Sequence, residues 1–195
     1  MNLFSRLFPP ARISLEKQVE ELAKCGIRLK PEFTVDTLLN EFSRDRYEER
    51  SYIGAIIRMA GYSNEVPLSN NLWYLDTECV EDTGSYAMIA ERFRDLAQGE
   101  LPIENIRDHV DHANGDAWVA FELHGETIEW HARVKDDWID PEMLSNFCAL
   151  LKQESSTRRY TFLDLKGQDC IIGCATEDEL LRLRKLTGMK FSWLE

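Results

Sequence analysis

Familiar catalytic signatures are missing from this chain of 195 residues. There is no GxSxG elbow, no P-loop, no GxGxxG turn after a strand and no HExxH pair. Glycine occurs only ten times, and no glycine-rich stretch could cradle a phosphate. No internal repeat or low-complexity segment is visible.

Long hydrophobic runs are missing too. Nothing approaches the ~20 apolar residues that a bilayer crossing needs. The opening MNLFSRLFPP has a short apolar patch, broken by Ser5 and Arg6 and stopped by Pro9 and Pro10. It is too short for the core of an export signal, and no small-residue cleavage site follows it. It fits a frayed terminus, or a short turn that dips into a membrane surface. The expectation is a cytoplasmic protein with reduced thiols and no membrane span.

Cysteine is sparse and unpaired in pattern. The five are Cys25, Cys79, Cys148, Cys170 and Cys174, an odd number with no CxxC spacing, which argues against a disulfide framework. Cys170 and Cys174 bracket the stretch CIIGC between a turn and a well-capped helix, so it reads as a strand. Residues four apart on a strand are separated by ~13 Å. A disulfide needs Cα atoms within ~7 Å. These two thiols can neither bridge each other nor share one metal there, and they fall on one face with Ile172. Cys174 has a second reading, as a thiol just before a helix N-terminus, but no histidine is near it in sequence to serve as a base.

What is abundant is negative charge. The net charge is −12, and it is unevenly placed. Residues 1–70 carry ten acids and ten bases, and residues 141–195 carry eight and eight, whereas residues 71–140 carry seventeen acids and five bases. All four histidines, His109, His112, His124 and His131, lie in that middle third. Such a field repels nucleic-acid phosphates and anionic lipid heads, and favours a basic protein partner or a cation. Solubility alone is the simpler reading of the same balance.

Periodicity outlines an α+β fold with a mixed, mainly antiparallel sheet covered by helices and an N-terminal helical pair. SLEKQVEELAKCG is the first helix, capped by Ser14 and ended by Gly26, with Leu15, Val19, Leu22 and Ala23 as its apolar stripe. A second helix starts at Thr34 and carries Val35, Leu38, Leu39 and Phe42. YIGAIIRM (52–59) reads as a strand, with a helix as the alternative, and NLWYLDTE (71–78) as its strand partner. A helix follows over Tyr86 to Gln98. IRDHVDHANGD fits a strand ending at the Asn114-Gly115 turn, or a short helix after Pro102, and the strand is taken forward. AWVAFELHGETIEWHARV is a hairpin whose core face is Val119, Phe121, Leu123, Ile128 and Trp130. Asp140 and Pro141 open a helix carrying Met143, Leu144, Phe147, Cys148 and Leu151. RYTFLDL and CIIGC form a strand pair. Thr176 and Glu179 make a capping box for a helix that Gly188 ends, and KFSWL is a last strand. One domain over 1–195 is expected, with residues 1–50 as a possible helical subdomain packed on a 51–195 core.

Two functional classes remain open. The first is an acidic, non-enzymatic binding protein that docks a basic protein partner. Its size, charge and missing catalytic motifs are those of an immunity protein, an inhibitor of a toxin or an adaptor. The hairpin's second face sets Trp118 among Glu122, Glu129, His131 and Arg133, and tryptophan flanked by charge is a common interface anchor. Asp136, Asp137 and Trp138 extend this candidate surface. A helix or loop covering Trp118 is the plainer alternative. The second class is an enzyme, or a protein for a small ligand or metal, using the carboxylates and histidines. Asp108, His109, Asp111 and His112 have ligand-type side chains, but no metal-binding spacing, and no cofactor is implied. Were the hairpin turn Gly125-Glu126, Glu122 and Glu129 would lie opposite each other, a destabilising pair.

Overall fold

The computed structural model describes residues 12–195, so the MNLFSRLFPP patch lies outside the described residues. Ser14 accepts a hydrogen bond from the Lys17 amide and opens α1 (Leu15–Lys24). Leu15 and Leu22 are fully buried there, and so is Gln18 between them. Burying an amide side chain is tolerable only if it is bonded. Its nitrogen donates to the carbonyls of Ile13 (2.8 Å) and Tyr47 (3.1 Å), and its oxygen accepts from the Tyr52 amide at 2.7 Å. Gln18 thereby ties α1 to the next helices.

The second helix is shorter than the apolar stripe suggests. α2 covers Val35–Leu39, and a separate α3 covers Arg44–Glu49. Ser43, in an extended conformation (φ −64°, ψ 152°), breaks the run just past Phe42. YIGAIIRM is helix α4 (Ile53–Met59), not a strand. Ala55, Ile56, Met59 and Ala60 are fully buried at helical spacing. A short apolar run of this kind has no clear period, so a buried strand and a core helix read alike. The expected strand pair therefore does not form, and among the described residues the N-terminal pair of helices is a group of four.

A small hairpin, β1 (Tyr62–Ser63) with β2 (Val66–Pro67), leads into β3 (Leu72–Asp76). Next come α5 (Ser85–Leu96), β4 (Ile103–Asp111), β5 (Asp116–Leu123) and β6 (Glu126–His131). The chain closes with α6 (Pro141–Gln153), β7 (Arg159–Lys166), β8 (Asp169–Ala175), α7 (Glu177–Thr187) and β9 (Ser192–Trp193). The capping predictions hold. Asp140 accepts from the Glu142 amide ahead of α6, Thr176 and Glu179 cap each other at α7, and Gly188 ends α7 at φ 69°. The last strand is only two residues long.

Besides the small β1-β2 hairpin, the described residues form two larger antiparallel sheets, ordered β3-β8-β7-β9 and β4-β5-β6. The first sheet is covered on both faces, which explains the unbroken apolar run of CIIGC on its inner strand β8. Cys170, Ile172 and Cys174 face one core together with Trp73, Leu75 and Tyr160. Ile171 and Ala175 face the other, among Leu15, Leu38, Ile56 and Leu180 of the N-terminal helices and α7. α5 and α6 form the layer between the two sheets. Phe93 of α5 stacks on Phe147 of α6 (centroids 4.7 Å apart), and Phe147 meets Phe121 and Trp130 of the second sheet. The fold is α+β. Among the described residues no helix is long and apolar enough to cross a membrane.

Candidate functional site

The second sheet has one face on the α5–α6 layer and the other turned outward. Leu123 pairs with Glu126, so the hairpin turn is His124-Gly125, with both residues at positive φ (53° and 84°). Positive φ at both central residues is the turn whose twist suits a two-residue hairpin, and glycine takes it without strain. Ala117, Val119, Phe121 and Leu123 of β5 are buried on the inward face. Asp108 of β4 belongs to that face. Its carboxylate accepts the backbone N–H groups of Gly84 (2.9 Å) and Tyr86 (3.0 Å) at the start of α5, where a negative charge suits the helix dipole. It is a structural cap, separated from its partners by more than twenty residues.

Pairing places Glu104, Arg107, His109 and Asp111 of β4 on the outward face. Asp116, Trp118, Ala120 and Glu122 of β5 lie beside them, with Thr127, Glu129 and His131 of β6 beyond. Among these residues five carboxylates meet one arginine. Trp118 is half-buried at the centre, opposite His109 on one side and His131 on the other. The His109 and Trp118 rings are tilted at 32° with centroids 6.0 Å apart, and His109 Nε2 lies 4.0 Å from Asp116. His131 Nε2 is 3.4 Å from Glu129 Oε1, and its side chain is 69% exposed. Ala120 is fully buried although it points outward. A methyl group on the middle strand sits below its longer neighbours.

Glu122 and Glu129 do not face each other, because the turn is one residue earlier than that pairing requires. Glu122 lies opposite Thr127 and, on its other side, opposite Glu104. The like-charge contact is thus with β4. The Asn105 side chain donates to Glu122 Oε2 at 2.8 Å, from a bulge that leaves Asn105 at φ 51°.

Asp136, Asp137 and Trp138 stand apart from that face. They belong to the connector between β6 and α6, which docks along residues 77–80. The Val80 amide donates to the Asp137 carbonyl, and the Ile139 amide to the Thr77 carbonyl, both at 2.9 Å. Trp138 is 38% exposed and borders a cavity of about 490 Å³ shared with Arg133, Val134, Lys135 and Asp140. The rim of that cavity carries two cations. The surface expected from sequence is therefore two surfaces. The outward sheet face holds Trp118, Glu122, Glu129 and His131, while Asp136, Asp137 and Trp138 are on the connector.

Glu104, Arg107 and Asp116 were not foreseen on this face. Their position depends on how β4 pairs with β5, and only the Asn114-Gly115 turn hinted at that pairing. Among the described residues no three of His, Cys, Asp and Glu gather closely enough to hold a metal ion. Three of the five thiols, Cys25, Cys170 and Cys174, are buried as well. Desolvation pushes Cys170 and Cys174 up to about 12, far from the range of a reactive thiolate. Comparison of the chain with protein-family models, with curated proteins and with solved structures found no match.

Proposed function

We propose that this chain is a non-enzymatic binding protein that docks a basic protein through the outward face of the β4-β5-β6 sheet. The observation that carries the reading is the make-up of that face: Glu104, Asp111, Asp116, Glu122 and Glu129 around Trp118, with Arg107 as the lone arginine. Trp118 supplies apolar contact area on a stiff side chain. The carboxylates steer a positive partner and repel acidic ones, an effect that fades as salt screens it. The role is that of an inhibitor, immunity protein or adaptor. The connector residues Asp136, Asp137 and Trp138 contribute at the rim, where charge acts mainly on the rate of encounter.

The test begins by capturing partners from host lysate at low and high salt. The affinity of a purified captured partner is then measured against variants whose folding is checked by circular dichroism. Trp118→Ala and the pair Glu122→Lys with Glu129→Lys should each weaken binding by at least about tenfold, and the charge pair should flatten its salt dependence. Asp136→Lys with Asp137→Lys should have a smaller effect. Unchanged affinity and unchanged salt dependence in the folded Trp118 and Glu122/Glu129 variants would reject the docking face.

A further inference from the structure

β6 is an open edge. Its register with β5, and the 2.8 Å bond from the Ala132 amide to the Ala117 carbonyl, fix which backbone groups are used. Residues 126, 128, 130 and 132 turn their N–H and C=O groups toward β5. Thr127, Glu129 and His131 turn theirs the other way, and among the described residues no hydrogen bond reaches these six groups. The other strand edges are blunted. At β4 the Val110 amide donates to Thr83 Oγ1 at 3.1 Å, and a bulge interrupts the strand between Glu104 and Arg107. At β3 the Tyr74 amide is taken by the Ala60 carbonyl at 2.9 Å, and β9 is two residues long. β6 has no bulge, no proline and no lysine, the devices that commonly protect such an edge.

Resting on the docking role proposed above, we infer that β6 receives an extended, basic segment of the partner, which adds an antiparallel fourth strand to this antiparallel sheet. Main-chain bonds to Thr127, Glu129 and His131 supply the register. Residues of the incoming strand directly opposite these three share their outward face, so they are lysines or arginines beside Glu129, with Glu122 one strand further in. The alternate residues point inward, beside Ile128 and Trp130, which are only partly buried and gain cover from apolar side chains. The segment therefore alternates basic and apolar residues. A second copy of this chain is a poor occupant. Self-pairing through the outward-pointing groups is centred on Glu129, which would then oppose its own copy, with Glu126 adding further negative charge.

The probe is an octapeptide of alternating lysine and valine, titrated by calorimetry against the full chain at low salt. Two N-methylated forms divide the possibilities. Methyl groups on the lysine nitrogens remove the donors aimed at β6, and binding should fall by at least about tenfold. Methyl groups on the valine nitrogens point away from β6 and should leave binding within about twofold. Thr127→Pro removes one outward N–H, leaves the bonds to β5 and changes no charge, so it should also weaken binding. Amide exchange at Thr127, Glu129 and His131 should slow when the peptide is bound. A glutamate-valine peptide should not bind. Equal effects of the two methylation patterns, or no new protection at these amides, would overturn the strand addition while leaving docking through side chains in place. Failure of the lysine-valine peptide to bind at low salt also overturns it, and the Trp118 and Glu122/Glu129 variants then decide the docking role separately.

Discussion

The mostly exposed guanidinium of Arg133 ends on a nearly buried carboxylate, Asp140, with Nη2 and Oδ1 2.8 Å apart. The same carboxylate accepts the Arg133 amide at 2.8 Å and the Glu142 amide at 3.0 Å. One side chain thus closes the connector after β6 and caps α6. The Arg133 guanidinium holds the Asp140 carboxyl below its usual range, against the opposing effect of burial.

Asp140→Asn keeps a capping side chain but loses the ion pair, and it sets an amide NH₂ against arginine donors. The expected loss at pH 7 is about 1–3 kcal/mol, the scale of hydrogen bonds to a charged group. The folded-state pKa lies below the unfolded value, so the contribution is complete above the ordinary aspartate range near ~3.9. It disappears as pH falls through the depressed folded value. Urea melts of wild type and Asp140→Asn should therefore differ at pH 7 and begin to draw together only below about pH 4, meeting once pH falls through the depressed folded value. A constant difference at every pH would show that the ion pair is not its source.

The buried Cys170 and Cys174, with the partly buried Cys79, give a chemical prediction. Desolvation raises Cys170 and Cys174 to about 12 and Cys79 to about 11. An ordinary thiol titrates near ~8.5, so at pH 8 these groups hold a far smaller thiolate fraction. Iodoacetamide should label Cys170 and Cys174 at least about a hundredfold more slowly in the native protein than in urea. Peptide mapping by mass spectrometry reads each site. Rapid native labelling of Cys174 would revive a reactive role for it at the start of α7.

The elements readable from sequence were those with a strong period or a two-point signature. The hairpin faces of β5 and β6 follow from strict alternation. The starts of α6 and α7 follow from Asp140-Pro141 and from Thr176 with Glu179. What stayed hidden was long-range pairing. Nothing local says that Glu104 lies opposite Glu122, that Asp108 caps α5, or that β3 pairs with β8 across about a hundred residues. Isoleucines 53, 56 and 57 illustrate a further limit. β-branched residues favour strands only weakly, and burial of α4 against its neighbours overrides that preference. The outward sheet face was half legible: Trp118, Glu122, Glu129 and His131 share it, but the β4 half and the separation of Trp138 required the register.

Gly173 lies on β8 between β3 and β7 where a side chain has no room. A Cβ there would sit 2.7 Å from Thr161 Oγ1, 3.0 Å from the Asn71 carbonyl oxygen and 3.2 Å from Leu72 Cδ2. Gly173→Ala should destabilise by about 1–3 kcal/mol, the cost of overpacking a closed core. Thr161→Ala in the same chain should recover part of that loss, because it removes the closest atom and leaves the backbone contact. A neutral Gly173→Ala, measured by urea melts, would mean that the strands separate without cost.

Arg92 is the complementary case of a side chain the core tolerates poorly. It is 4% exposed, and among the described residues Nε and Nη1 have no hydrogen-bond partner. Nη2 donates to the Leu72 carbonyl at 3.2 Å, and the guanidinium carbon stands 5.6 Å from the Tyr62 ring centre and 6.0 Å from that of Trp73. Burial lowers its pKa, since the charged form loses water and the nearby Tyr62 and Asp95 offset this only in part. Ring contacts of this kind return about 0.5–2 kcal/mol. Leaving a buried charge unpaired costs several kcal/mol. Arg92→Met keeps the stem and removes the charge, so it should raise stability by about 1 kcal/mol or more. The gain should appear as a higher urea midpoint at unchanged slope. A loss of more than about 1 kcal/mol would instead show that the two rings and the Leu72 carbonyl outweigh the desolvation of the guanidinium.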